Sequence, residues 1–181
     1  MINKKSKIFI AGHKGMVGSA IFRILNKKKY NNLIYANKSK LNLLNQIQVA
    51  NFFKKNKIDM IVIAAAKVGG ILHNSQFPYQ FLYENLMIQN NIINSAFENN
   101  IKKIFFLGSS CIYPRNITQP IKEDYLLSGY LEKTNENYAL AKITGIKLCN
   151  SLNSNYNWEC RALMPTNLFG PNDNYDLETS H

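Results

Sequence analysis

Apolar residues fall along this chain in two kinds of run. Short runs at residues 7–11, 33–36, 60–66, 104–107 and 159–164 predict β-strands. Between them, apolar positions recur three and four residues apart: Val17, Ala20, Ile21, Ile24 and Leu25 within 16–28, then Val49, Phe52 and Phe53 within 46–57. The same spacing recurs in Phe81, Leu82, Asn85, Ile88, Ile92, Ile93 and Phe97 within 78–100. These segments predict helices with one apolar face, and a further long helix is predicted over 135–152. A strand that is apolar throughout suits a sheet covered on both faces, as parallel sheets with helical crossovers are. Strands alternating with helices therefore predict an α/β fold, a doubly wound (Rossmann-type) parallel sheet forming one domain over 1–181. Residues 108–134, with Pro114, Pro120 and Gly129, read as irregular, and the chain closes on a loop rich in turn residues.

Composition narrows the class further. The chain has 181 residues, 46% of them hydrophobic, which excludes a disordered tail, a collagen-like fibre or a coiled coil and suits one packed core. Twenty-two Lys and Arg against 11 Asp and Glu give a net charge of +11. The basic residues recur as KKSK, KKK and KSK without a dominant block, and no nucleic-acid-binding motif accompanies them. The basic residues read first as a solvated surface; charge alone does not choose between nucleic acid and a phosphate-bearing small molecule, and the missing motif speaks against nucleic acid. Cys111, Cys149 and Cys160 form no CxxC pair, so neither a disulfide framework nor a metal cluster is expected, and Cys149 and Cys160 read as packing residues. No apolar run approaches the roughly 20 residues that cross a bilayer, and the expected location is the cytoplasm.

Three motifs carry chemistry. AGHKGMVGS sets Gly12, Gly15 and Gly18 three apart between the first strand and the first helix. Glycines there allow a tight turn, a close backbone approach to a pyrophosphate and close packing of helix on strand, and the helix N-terminus faces the phosphates. An acidic residue after the second strand would meet a free ribose hydroxyl, but the sequence reads Asn37, Lys38, Ser39, Lys40. Together with Lys14, this points to NADP(H) rather than NAD. Tyr138 and Lys142, in YALAK, lie one turn apart on a predicted helix, where an ammonium is expected to favour the ionised phenol. Ser109 follows the fourth strand, at the sheet end where ligands of such folds bind.

The ordered set AGHKGMVGSAI, AAAKVGG, FLGSSCIYP, NENYALAK, IKLC and MPTNLFGPNDN resembles the extended short-chain dehydrogenase/reductase family over nearly the whole chain. The resemblance implies NADPH-dependent epimerisation at carbons three and five of a GDP-linked 4-keto-6-deoxy-D-mannose, followed by reduction at carbon four. It makes Ser109, Tyr138 and Lys142 the reductase triad and Cys111 with His181 the epimerisation acid/base pair. The dinucleotide would be met by Gly12, His13, Lys14, Gly15, Met16, Val17, Gly18 and Lys38, by Leu107, Gly108, Ser109 and Ser110, and by Lys142, Pro165, Thr166, Asn167, Leu168 and His181. Family members continue into a smaller substrate-gripping lobe and further strands, so the chain reads as truncated, with an exposed sheet edge. They also pair as homodimers through the two long helices, here 78–100 and 135–152. A non-catalytic NADP-binding fragment, or another NAD(P)-dependent nucleotide-sugar epimerase or dehydratase, remains the alternative.

Overall fold

The structure is a computed structural model and describes residues 2–176. Five parallel strands stand in the order β2-β1-β3-β4-β5: β1 Ile8–Ala11, β2 Leu33–Ile34, β3 Met60–Ile63, β4 Lys103–Leu107 and β5 Glu159–Leu163. The helices are α1 Met16–Lys27, α2 Gln46–Lys55, α3 Ile71–Gln76, α4 Pro78–Glu98 and α5 Glu136–Tyr156, with short 3₁₀ turns at Ser110–Ile112 and Glu123–Tyr125. The doubly wound parallel sheet is thus as predicted.

Alternation along the strands divides the core. Phe9, Ile61, Ile63, Ile104 and Phe106 point to the face covered by α2, α4 and α5 through Val49, Phe53, Ile92, Ile93, Ile143 and Ile146. Ile8, Ile10 and Val62 point to the other face, against Ile21, Phe22 and Leu25 of α1. Cys149 and Cys160 are buried in the first cluster as free thiols, in keeping with a packing role. Beyond α1 that second face is open: Glu159, Arg161 and Leu163 of β5 are exposed. No described helix is long and apolar enough to cross a membrane.

Local chemistry sets the boundaries. Asn45 caps α2 by accepting from the Gln48 amide at 3.0 Å, and Pro78 begins α4 at a position where a missing N–H costs nothing. Strand β2 is shorter than the predicted 33–36 because only Leu33 and Ile34 find partners, in Ile8 and Phe9. Strand β3 ends at Ile63 rather than at residue 66, where the chain must turn beside the glycine loop. Helix α5 runs four residues past its predicted end, through a polar stretch without periodicity. Asn157 closes it in the left-handed region (φ 54°), and Asn153 clamps the Cys160 amide and carbonyl, each at 2.8 Å. The short α3 falls in a stretch for which the apolar pattern predicts no element.

Helix α5 approaches the sheet closely at Gly145. A β-carbon there would strike the Phe106 ring and come within 2.8 Å of Gln89 Oε1. Overpacking of this kind costs about 1–3 kcal/mol, against about 1 kcal/mol gained in helix propensity. Gly145→Ala should therefore lower unfolding free energy in urea by about 1–2 kcal/mol; an unchanged midpoint would show that the Phe106 ring yields.

Candidate active site

Strand order reverses direction between β1 and β3, which opens a crevice beyond their carboxyl ends. Gly12 turns there with φ +85°, and a β-carbon on it would come within 2.6 Å of the Ala65 amide nitrogen. One on Gly18 would overlap the Gly12 carbonyl oxygen. These two glycines are required by the fold itself. Gly15 is different, for a β-carbon on it meets only the Gly12 carbonyl at 3.5 Å. Packing of the described residues therefore does not require a glycine at that position. Gly15 also precedes α1 without a side-chain cap, so the first amides of that helix lie at the crevice wall.

The crevice holds a cavity of about 470 Å³. Gly12, Gly15, Met16 and Val17 line one end, Leu107, Gly108, Ser109, Tyr138 and Lys142 the middle, and Pro165, Thr166, Asn167 and Leu168 the far wall. A neighbouring cavity of about 420 Å³ takes His13, Lys14 and Lys38 together with Asn37. His13 packs its ring 4.8 Å from Tyr35, and burial, then the Lys14 charge, hold its pKa below the usual imidazole range. The positive charge of this end therefore comes from the lysines. Lys67, also on its wall, is paired with Glu84 at 3.3 Å.

A third cavity, about 430 Å³, opens beside Cys111 and Ser110. It shares Gly69, Ser109, Tyr138 and Asn167 with the first. Ser109 and Tyr138 thus stand where two cavities meet, whereas Cys111 faces only one of them. Arg115 and Glu132 lie on its wall as an ion pair at 3.0 Å.

Backbone bonds hold the two loops that carry this junction. The Gly108 amide donates to the Leu163 carbonyl at 2.8 Å and the Ser110 amide to the Pro165 carbonyl at 3.1 Å. Ser109 Oγ accepts from the Cys111 amide at 3.4 Å. Lys142, only 4% exposed, donates to the Leu107 carbonyl at 2.7 Å. Its burial lowers its pKa to about 8. Burial, and next the Cys111 thiolate charge, push the Tyr138 phenol up. This differs from the sequence expectation of a phenol ionised by its neighbouring ammonium: desolvation outweighs attraction, and the ammonium is aimed at Leu107. The Cys111 thiol is also raised by burial, opposed by the Ser109 hydrogen bond and the Lys142 charge.

Most of the predicted residues are brought together. Gly18 is the exception among the glycines, since it packs under the turn rather than lining a cavity. Ser110 lies on the Cys111 side rather than along the first cavity. His181 lies outside the described residues. Ala64, Ala66, Val68 and Gly69, within the AAAKVGG motif but given no role there, line the first cavity. Their loop is held by Asn85, which accepts from the Lys67 amide at 2.8 Å and donates to the Lys67 carbonyl at 3.0 Å. A buried Asn in an otherwise apolar helical stripe was the available signal, because such a group must find partners.

The folded chain holds the Lys142 proton more weakly than the unfolded one, so unfolding takes up a proton between about pH 8 and 10.5. Stability contributed by this group therefore rises with pH across that window. Relative to Lys142→Met, which has no such titration, the unfolding free energy of the native chain should gain about 2 kcal/mol between about pH 7 and 9.5. A difference independent of pH in urea titrations would contradict the buried-ammonium assignment.

The model of the NAD dependent epimerase/dehydratase family matches residues 8–181. The chain is 51% identical to the GDP-L-fucose synthase of Escherichia coli (strain K12) over 177 residues, covering 98% of this chain and 55% of that protein. A solved GDP-D-glycero-L-gluco-heptose synthase from Campylobacter jejuni, in the presence of NADPH, matches with TM-score 0.94 and 41% identity. That match covers 99% of this chain and 53% of the other. A GDP-L-fucose synthetase from Naegleria fowleri bound to NADP matches with TM-score 0.88 and 28% identity, over 100% of this chain and 60% of the other. The chain spans about half the length of the curated relatives it matches. Since the family model runs from the first strand through the glycine crevice and both loops of the junction, the chain belongs to the NAD dependent epimerase/dehydratase family.

Proposed function

We propose that this chain supplies the cofactor-binding and catalytic part of a GDP-L-fucose synthase, which epimerises GDP-4-keto-6-deoxy-D-mannose at carbons three and five and reduces it at carbon four. The observation that carries this reading is the junction of two cavities at Ser109 and Tyr138, with Cys111 facing only the second. The first cavity fits NADPH: Gly12 and Gly18 let strand and helix close together, and Gly15 leaves room beside the helix amides. Lys14 and Lys38 suit the extra phosphate of that dinucleotide; one solved relative is described in the presence of NADPH and two others with NADP bound. When bound, it supplies the reducing equivalent.

The chain's own groups perform the rest. Ser109 and Tyr138 present hydroxyls to the ketone oxygen from the shared wall. The raised Tyr138 pKa keeps the phenol protonated near neutrality, as a proton donor must be. Lys142, one turn along α5 from Tyr138, would tune that phenol and hold the ribose of the cofactor. Cys111, in the second cavity, exchanges protons with the carbons beside the ketone, with His181 as its partner. The exposed, stacked Tyr79 and Tyr83 of α4, 5.4 Å apart, and the exposed Leu140 of α5 support a homodimer through the two long helices. Three unpaired thiols support a reducing, cytoplasmic location.

A second reading is reduction at carbon four without epimerisation, favoured by a likeness of 41% to a GDP-mannoheptose C4 reductase from Campylobacter jejuni. Protein expressed from the whole gene discriminates the two. In D₂O it should introduce deuterium at carbons three and five of the keto sugar, and Cys111→Ser should abolish that exchange while leaving NADPH binding intact. Exchange undiminished in the variant removes Cys111 from the reaction. Tyr138→Phe should slow NADPH oxidation by about 100-fold or more, the usual contribution of a positioned general acid; undiminished turnover would falsify its role.

A further inference from the structure

The chain leaves β5 at Leu163, at one edge of the sheet, and by Asn172 it has reached α1, which follows β1 three strands away. Three strand spacings are about 14 Å, so residues 164–172 run across the carboxyl ends of β4 and β3. Asn172, Asp173 and Asn174 line the first cavity together with Met16 and Val17 of α1. On the outer side Phe169 is 92% exposed and Tyr175 74%, so the segment is a single layer of chain between cavity and solvent.

Its two ends are fastened differently. The root is held by the backbone bonds from Gly108 to Leu163 and from Ser110 to Pro165. The far end is tied by a side chain: Asn172 Nδ2 donates to Ser19 Oγ at 2.9 Å. Ser19 Oγ also accepts from Arg23 Nη1 at 3.1 Å and donates to the Met16 carbonyl at 3.0 Å. A hydroxyl has one proton and two acceptor sites, so this one is fully engaged and Asn172 can present only its amide nitrogen to it. Between root and tie lies Gly170, at φ +154°, where an added β-carbon would meet nothing within 4 Å. A glycine free of packing is a permissive pivot.

We infer that residues 170–174 form a strap over the dinucleotide cavity, latched by Asn172 to Ser19, and that unlatching gates the passage of NADPH in both directions. This rests on the NADPH reading above and adds to it the step that controls exchange of the cofactor. The walls must part for entry as for exit, so the latch slows both rates alike and leaves affinity nearly untouched.

Stopped-flow NADPH fluorescence, on protein expressed from the whole gene and without sugar, tests the latch. Asn172→Ala should raise the association and dissociation rate constants about fivefold each, with Kd changed by less than twofold. That factor corresponds to about 1 kcal/mol, the usual net contribution of one hydrogen bond. Asn172 is exposed, so its replacement leaves the core intact. Ser19→Ala should act in the same way, and the double variant should be no faster than either single one, since both remove one bond. Unchanged rates in Asn172→Ala overturn the inference, as do additive effects in the double variant. Faster dissociation alone, with Kd weakened to match, overturns it too, because Asn172 would then hold bound cofactor rather than gate it. In each of these cases NADPH binding by the native protein leaves the proposed function standing; failure of the native protein to bind NADPH removes both.

Discussion

The hydrogen bond from the Lys142 ammonium to the Leu107 carbonyl fastens together the three parts on which the site depends. Lys142 belongs to α5, Leu107 ends β4, and both line the first cavity. An ammonium that is 4% exposed requires a partner, and only a close approach of helix to sheet can bring that carbonyl to 2.7 Å. Gly145, one turn further along α5, permits the approach by lacking a side chain against Phe106. Packing and chemistry are thus the same contact seen from two sides.

That contact also sets the proton inventory. The ammonium lies 5.6 Å from the Tyr138 ring centroid and 5.0 Å from that of Phe106, so its field is partly shared with two aromatic faces and a carbonyl. Desolvation consequently dominates at Tyr138 and Cys111, and both stay protonated near neutrality. Such a site is poised as an acid toward an incoming carbonyl.

Strand positions, the glycine turn, Tyr138, Lys142 and Ser109 were legible in the sequence because each rests on a local rule: period, turn chemistry, or two side chains one helical turn apart; Cys111 was singled out only by the family resemblance. The direction of the Tyr138 pKa was not legible, since burial depends on Phe81, which meets its ring edge-on at 6.4 Å from 57 residues away in the chain. The end of α5 was missed for a similar reason. Its last turn is polar and held by Asn153 across to β5, a tie made only once the strand is in place. The loop after β3 read as a strand tail because Ala64, Ala65 and Ala66 carry no punctuation, and its course is imposed by Gly12 and Asn85, one before it and one after it.

The net charge of +11 looks at first like the main electrostatic fact of the chain, yet it does little at the site. At physiological ionic strength charges are screened over about 8 Å, so lysines scattered over the surface act chiefly on encounter. What distinguishes the crevice is local. Lys14 and Lys38 line the end beyond Gly12, Lys67 is engaged by Glu84, and His13 is held toward neutrality. The middle carries one buried ammonium turned onto a carbonyl, and the Cys111 cavity pairs its Arg115 with Glu132. The crevice thus has cationic groups at one end and two hydroxyls, of Ser109 and Tyr138, where the cavities meet. That difference arises from which side chains lack internal partners rather than from the total charge.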